Sequence, residues 1–362
     1  MRTLFRSWRL LAAVLVVVVA ASAAAAAYGT TNAPASGSSL ARQQAAPRPA
    51  TKAQWAKIVA AAKKEGSVTL YTSQNPIFLA DTAKDFEAKY GIKVTINRQI
   101  DATLAQQVSA EKSAGKLNAD VLVIASRPIV LGAQKAQNQW AVNAVGPHLY
   151  VKAYNRKLFG GPGKADIVGE AILGIAWNTN QYSKTLKDLP DFLDPALKGR
   201  IGVVEPTAPS LVDWYLWVQQ RYGKAFLPKL AAQKPKIYTS SLPMTQAVAS
   251  GEITAGTFTS ANALDLQQQG APIKWIQPGG SKNWNAPWWG MVLKGAPHPN
   301  AAQLLMDFLV TKQGQQTSAH HTGAVLRGVP ATFWVVPRQQ NLLALTPAKV
   351  TAFQSYWNGL FK

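Results

Sequence analysis

Along the chain, short apolar β-branched runs alternate with stretches whose apolar residues recur every three or four positions. Ser67-Val68-Thr69-Leu70-Tyr71 is one such run, and it ends in the polar group Thr72-Ser73-Gln74. From Pro76 to Tyr90 the residues Phe78, Leu79, Ala83, Phe86 and Tyr90 keep helical spacing. Gly91 follows, and a residue free to take positive φ predicts the helix stop there. A second strand is predicted over Ile92–Ile100, a helix over 102–114, a third strand over Ala119–Ala125 and a helix over 128–139. That order means a parallel sheet with crossover helices.

A second cycle opens at Ala171–Trp177, whose unbroken apolar run suits a strand covered on both faces. Strands are predicted at Ile201–Val204, Lys236–Tyr238, Ala255–Phe258 and Ile273–Ile276. Helices are predicted around 210–222, 243–250 and 261–268, with Asn300–Val310 amphipathic and a last helix over 347–358. Two similar α/β cycles and no tandem repeat predict two lobes, each with its own sheet.

The first fifty residues follow neither period. Arg2, Arg6 and Arg9 precede the apolar stretch Leu10–Ala27, which offers A-x-A choices at Ala23, Ala25 and Ala27. This is the pattern of a secretory signal over residues 1–27. An uncleaved membrane anchor is the competing reading, since the stretch touches the lower length for a spanning helix. From 28 to 50 the chain is rich in Ala, Pro and Ser and reads as a flexible tether.

Composition narrows the chemistry. The 362 residues contain no cysteine and four histidines. Disulfides, thiolate metal sites, a thiol nucleophile and Cys-linked lipid anchoring are thereby excluded. The net charge of +21 would suit a phosphate-binding surface, but the Lys and Arg are scattered and carry no nucleic-acid motif. We therefore expect no nucleic-acid partner.

In an open parallel sheet, ligands bind beyond the carboxyl ends of the strands. The residues found there are Thr72, Ser73, Gln74, Arg98, Ser126, Arg127, Ser210, Ser241, Thr259 and Asn262, with Glu205 the nearby acid. Hydroxyls, amides and two Arg would hydrogen-bond an anion or polar solute well and a bare hard cation poorly. Ser, Thr and Asn are also the usual helix caps, so each position has a purely structural reading beside the ligand reading. The segment G-G-S-K-N-W-N-A-P-W-W-G reads as a loop with three Trp. Of these, Trp289 is the candidate for stacking on a ligand, and packing onto the core is the alternative. Trp214 and Trp217, three apart in a predicted helix, read as core.

Enzymatic signatures are missing: there is no G-x-S-x-G, H-E-x-x-H, Walker loop or G-x-G-x-x-G. His320-His321 stands out, but adjacent residues of a regular element do not share a face, so it reads as a surface or interlobe feature. No catalytic residue, cofactor or metal site is expected.

Seven segments, in order, carry a resemblance: SVTLYTSQ (67–74), DFEAKYGIKV (85–94), NADVLVIAS (118–126), ILGIAWNTN (172–180), LPDFLDPALKGRIGVVEPT (189–207), MTQAVASGEITAG (244–256) and LKGAPHPNAAQLLMDFLVTKQGQQ (293–316). With the exported N-terminus, the chain resembles the solute-binding proteins of ABC importers, in the ferric-binding-like group. The resemblance implies an α/β, two-lobe periplasmic-binding-protein fold of type II, each lobe a mostly parallel sheet flanked by helices and hinged by crossing strands. It places residues 51–165 plus 277–362 in one lobe and 166–276 in the other. It implies a periplasmic or extracellular monomer that closes over a small-molecule solute and delivers it to a membrane permease, with no enzymatic activity. Family members carrying bare ferric iron have a Tyr pair just after the strand that here ends at Phe258, where this chain has Thr259-Ser260-Ala261-Asn262. An anionic or zwitterionic solute such as an organophosphonate, phosphate ester or carboxylate is therefore expected. Ferric iron or an iron complex is the alternative, and a secreted hydrolase or transferase is the second.

Overall fold

The computed structural model describes residues 47–135, 139–278, 284–334, 337 and 345–362. The expected signal segment and nearly all of the tether lie outside these residues. The first half contains α1 (Lys52–Glu65), β1 (Ser67–Thr72), α2 (Pro76–Tyr90), β2 (Lys93–Arg98), α3 (Asp101–Ser113), β3 (Val121–Ile124), α4 (Arg127–Ala133), β4 (Ala141–Val142) and α5 (Arg156–Phe159). Next come β5 (Asp166–Asn178), β6 (Ile201–Val204), α6 (Pro209–Tyr222), α7 (Phe226–Ala232), β7 (Lys236–Tyr238), α8 (Ser241–Ser250), β8 (Ala255–Thr259), α9 (Ser260–Gln268) and β9 (Ile273–Ile276). The last part is β10 (Asn285–Leu293), α10 (Pro299–Leu309), α11 (Lys312–Ser318), β11 (Gly323–Ala324), β12 (Phe333–Trp334) and α12 (Pro347–Phe361).

The strands form one curled mixed sheet in the order β2-β1-β3-β10-β5-β8-β6-β7. Each end is a parallel triplet: β1 lies between β2 and β3, and β6 lies between β7 and β8. These are the crossovers that the strand–helix alternation predicts. Between the triplets run β5 and β10, antiparallel to their neighbours. The first part of β5 pairs with β10 and its second part with β8 and β9, so a single strand crosses from one lobe to the other. Gly174 sits at this crossing, where a Cβ would collide with the Ile276 carbonyl and the Trp275 ring. Any side chain there would push β9 off β5.

Each parallel triplet has its own core. Leu70, Phe86, Leu104, Val121–Ile124, Met291 and Phe308 belong to the first. In the second half Leu173, Ile175 and Trp177 point from β5 into a core with Phe192, Val203, Trp214 and Trp217. Ala176 points the other way, into a smaller cluster with Met244, Val248 and Ile253. That double burial explains the unbroken apolar run in the sequence. Trp214 and Trp217 stack at 5.0 Å between ring centroids, as their spacing predicts. Gly91 takes φ +69°, in agreement with the helix stop.

Two features differ from the sequence reading. From Asn285 on, the Trp-rich segment is strand β10 rather than a loop, its first five residues lying outside the described ones, and Trp284, just before β10, is buried and donates to Asp213 at 2.6 Å. Its Pro and Gly are tolerated because β10 is a crossing strand with a bulge between Trp288 and Trp289. Helix α12, within the span expected to belong to the first lobe, buries Phe353 and Trp357 in the second core.

Candidate functional site

The hydroxyls at helix N-termini fall into two classes. Thr51, Thr311 and Thr346 cap α1, α11 and α12 by accepting from Gln54, Gly314 and Lys349 N–H groups. Ser126, Ser240 and Thr259 occupy the same cap position before α4, α8 and α9 and make no such bond. The Ser126, Thr259 and Ser260 hydroxyl oxygens are buried and have no hydrogen-bond partner. Leaving a buried hydroxyl unpaired costs about 1–3 kcal/mol, so these groups are poor choices for structure alone.

After β1, Thr72 and Gln74 serve the turn itself. Thr72 Oγ1 accepts from the Gln74 N–H at 3.1 Å and donates to Gln74 Oε1 at 3.3 Å, and both side chains are buried. Ser73 reaches outward and donates to Asp101 at the start of α3. Burial raises the Asp101 carboxyl above its ordinary range, opposed by the Ser73 hydroxyl, the Ala125 and Ser126 N–H groups and the nearby Arg98. Arg98 is exposed, with Nε donating to the Gln74 carbonyl at 3.3 Å. Arg127 is half-buried in the first turn of α4, next to Ser126.

From the second lobe, Asn262 Nδ2 donates to Ser241 Oγ at 3.2 Å while its Oδ1 accepts from Asn75. Asn75 follows Gln74, so this chain of amides ties the turn between β1 and α2 to α9 and α8. Ser210 is half-buried in the first turn of α6. Trp289 is 7% exposed and packs in the first core, with Gly161 lying flat against its ring. Its indole N–H is buried without a partner. The structure thus groups Ser73, Arg98 and Ser126 around Asp101, and Ser241 with Asn262 around Asn75. It turns Thr72 and Gln74 inward.

Residues 68–321 match the family model described as bacterial extracellular solute-binding protein. The chain belongs to the bacterial extracellular solute-binding proteins. Like other members, it is a binding component of the ABC-importer class. An uncharacterised protein of Haemophilus influenzae is 25% identical over 273 residues, covering 70% of this chain and 76% of that one. Iron-bound HitA from Pseudomonas aeruginosa is 24% identical, covers 81% of this chain and 99% of its own, and gives a TM-score of 0.61. AfuA from Actinobacillus pleuropneumoniae, with exogenous fructose-6-phosphate bound, is 22% identical, covers 82% and 98%, and gives 0.64. At these identities the two structures establish the shared type II periplasmic-binding-protein fold. Among the described residues, no helix is long and apolar enough to cross a membrane.

Three features of this solute-binding protein are missed by the sequence reading or differ from it. Asn75 and Asp101 each lie just beyond a strand end, and extending the search by one to three residues would have found them. Glu170 on β5 is fully buried with neither carboxylate oxygen hydrogen-bonded, and it directly precedes the apolar run that marked the strand. Burial raises its pKa well above the carboxylate range. A carboxyl raised on folding contributes stability that is present below its unfolded pKa and lost as pH rises through its folded one. Glu170→Gln is therefore expected to raise Tm relative to the parent at pH 8 and to bring no gain at pH 4. Equal differences at both pH values in thermal unfolding would count against a buried neutral Glu170.

The third is the histidine pair. Neighbouring residues were expected to diverge, yet the His320 and His321 ring centroids lie 3.9 Å apart. His321 takes φ +53°, and this left-handed turn swings the two rings to one side.

Proposed function

We propose that the protein captures a small anionic or zwitterionic solute, of the organophosphonate, phosphate-ester or carboxylate kind, and delivers it to the membrane permease of an ABC importer. In this reading it is exported by the signal over residues 1–27, acts as a monomer outside the cytoplasm, and closes its two lobes over the solute. Lobe limits near 51–165 with 277–362, and 166–276, belong to the proposal, with α12 riding on the second lobe. The observation that carries it is the set of buried, unpartnered donors: the Ser126, Thr259 and Ser260 hydroxyls and the Trp289 indole N–H. Donors left unsatisfied in the free protein are satisfied when oxygen acceptors enter, and charged acceptors strengthen each bond. A ferric ion asks for the opposite, namely anionic oxygen donors. At the start of α9 the chain offers Thr259, Ser260 and Asn262. AfuA, of the same fold, holds fructose-6-phosphate.

Ser126→Ala and Thr259→Ala test this directly. Each is expected to leave the stability of the free protein unchanged or slightly higher, because an unpaired buried hydroxyl disappears. Each is expected to weaken solute binding by about 0.5–1.5 kcal/mol, the net worth of a hydrogen bond. A loss of stability with affinity intact, measured by urea unfolding and calorimetry, would return these hydroxyls to a structural role.

A further inference from the structure

Two imidazoles and a carboxylate converge where the lobes meet, one turn along α9 from Asn262. Asp265 lies on α9, whose Ala263 packs in the small cluster of the second half. His320 and His321 follow α11, next to Ala319 of the first core. One ligand-capable atom from each of Asp265, His320 and His321 lies within 4.8 Å of the other two. His321 Nδ1 pairs with Asp265 Oδ1, while Asp265 Oδ2 is buried without a hydrogen bond. All three residues are half-buried, which limits competition from bulk water.

We propose that Asp265, His320 and His321 form a binding site for a divalent first-row transition-metal ion. Two imidazole nitrogens and one carboxylate oxygen suit Zn²⁺, Co²⁺, Ni²⁺ or Cu²⁺ and are a poor set for Mg²⁺ or Ca²⁺. Metal–ligand bonds of about 2.0–2.2 Å set tetrahedral donors about 3.3–3.6 Å apart, so binding breaks the His321–Asp265 hydrogen bond, opens that pair and draws His320 in by roughly 1.5 Å at most. Side-chain rotation supplies that movement, because the backbone turn at His321 already presents both rings to the carboxylate. Asp265 and His320 also line a cavity of about 550 Å³, together with Asp81, Gln246, Asn262 and Thr317. A fourth coordination position therefore opens onto the cavity, the arrangement that admits water or an exchangeable oxygen donor. Because the protein ligands come from both halves of the molecule, the ion ties α9 to the segment after α11 and holds the lobes in the arrangement described. The site needs no solute and goes beyond the solute-binding reading.

The two remaining histidines supply controls within the same chain. His148 pairs with Asp307 at 2.7 Å and His298 with Asp120 at 2.9 Å, each with a single imidazole. The test is calorimetric titration of the full chain, first stripped with EDTA, with ZnCl₂ in a non-chelating buffer. Co²⁺ absorption serves as the spectroscopic readout. The expected result is one Zn²⁺ per chain, a higher Tm with metal, and affinity lowered at least about tenfold by His320→Ala. That variant leaves the His321–Asp265 pair in place, so its fold is preserved, and circular dichroism checks this. Asp265→Asn is expected to lower the affinity as well, and His148→Ala to leave it unchanged. Absence of Zn²⁺ binding at 100 times the protein concentration would overturn the proposal, and so would binding that His320→Ala does not weaken.

Discussion

Trp357→Ala is expected to destabilise the protein by about 3–5 kcal/mol, the range for truncating a large buried aromatic side chain. Trp357 lies near the chain end, where a truncation would ordinarily be harmless. Its side chain is nevertheless fully buried, with its ring 5.8 Å from Tyr215 and stacked 4.5 Å from Phe361. Phe353, one turn earlier, also stacks on Tyr215, at 6.4 Å. Tyr215 in turn donates its hydroxyl to the Val204 carbonyl at 2.6 Å, at the end of β6. Helix α12 thus closes the second core from outside, and the cavity left by alanine would lie directly under α6. Equilibrium urea unfolding measures the effect. A loss below about 1 kcal/mol would mean that α12 is only loosely docked.

The second large effect concerns affinity. Arg127→Ala is expected to weaken solute binding about tenfold to a hundredfold, the scale of a charge-assisted hydrogen bond of about 1.5–3 kcal/mol. Arg127 directly follows Ser126 and is half-buried, so a guanidinium there meets an incoming oxyanion with little screening. Arg127→Lys is expected to recover only part of the loss, since lysine keeps the charge but not the planar fork. Arg98→Ala is expected to cost less. Its side chain is exposed, its Nε donates to the Gln74 carbonyl, and Asp101 shares its field. Calorimetry against a panel of sugar phosphates, phosphonates and carboxylates ranks the three variants. Unchanged affinity in Arg127→Ala would remove it from the site.

Much of this architecture was legible because local period and long-range packing agree. The strands Ile201–Val204, Lys236–Tyr238 and Ile273–Ile276 have the limits that their apolar runs predict. The strand β10 was not legible, because Asn285-Ala286-Pro287-Trp288-Trp289-Gly290 carries loop-forming residues and owes its conformation to β3 and β5 on either side. Helix α12 was legible as a helix, whereas its attachment to the second core depends on tertiary contacts with Tyr215 that periodicity does not encode. At the candidate site, residue type and strand-end position singled out Ser73, Ser126, Ser241, Thr259 and Asn262 as a proposed set. They did not separate Thr72 and Gln74, which satisfy each other, from Ser126 and Thr259, which lack partners. That distinction resides in side-chain direction. The expected divergence of His320 and His321 failed for a related reason: adjacent side chains part only on regular backbone, and His321 is left-handed.

The measurement that bears most directly on the central claim is a native mass spectrum of the protein isolated from its host without refolding, recorded before and after denaturation. The account predicts an added mass of one small organic anion, bearing phosphorus or carboxylate, that departs when the chain unfolds. An added mass of a single iron atom, accompanied by an absorption band from phenolate-to-iron charge transfer, would contradict it.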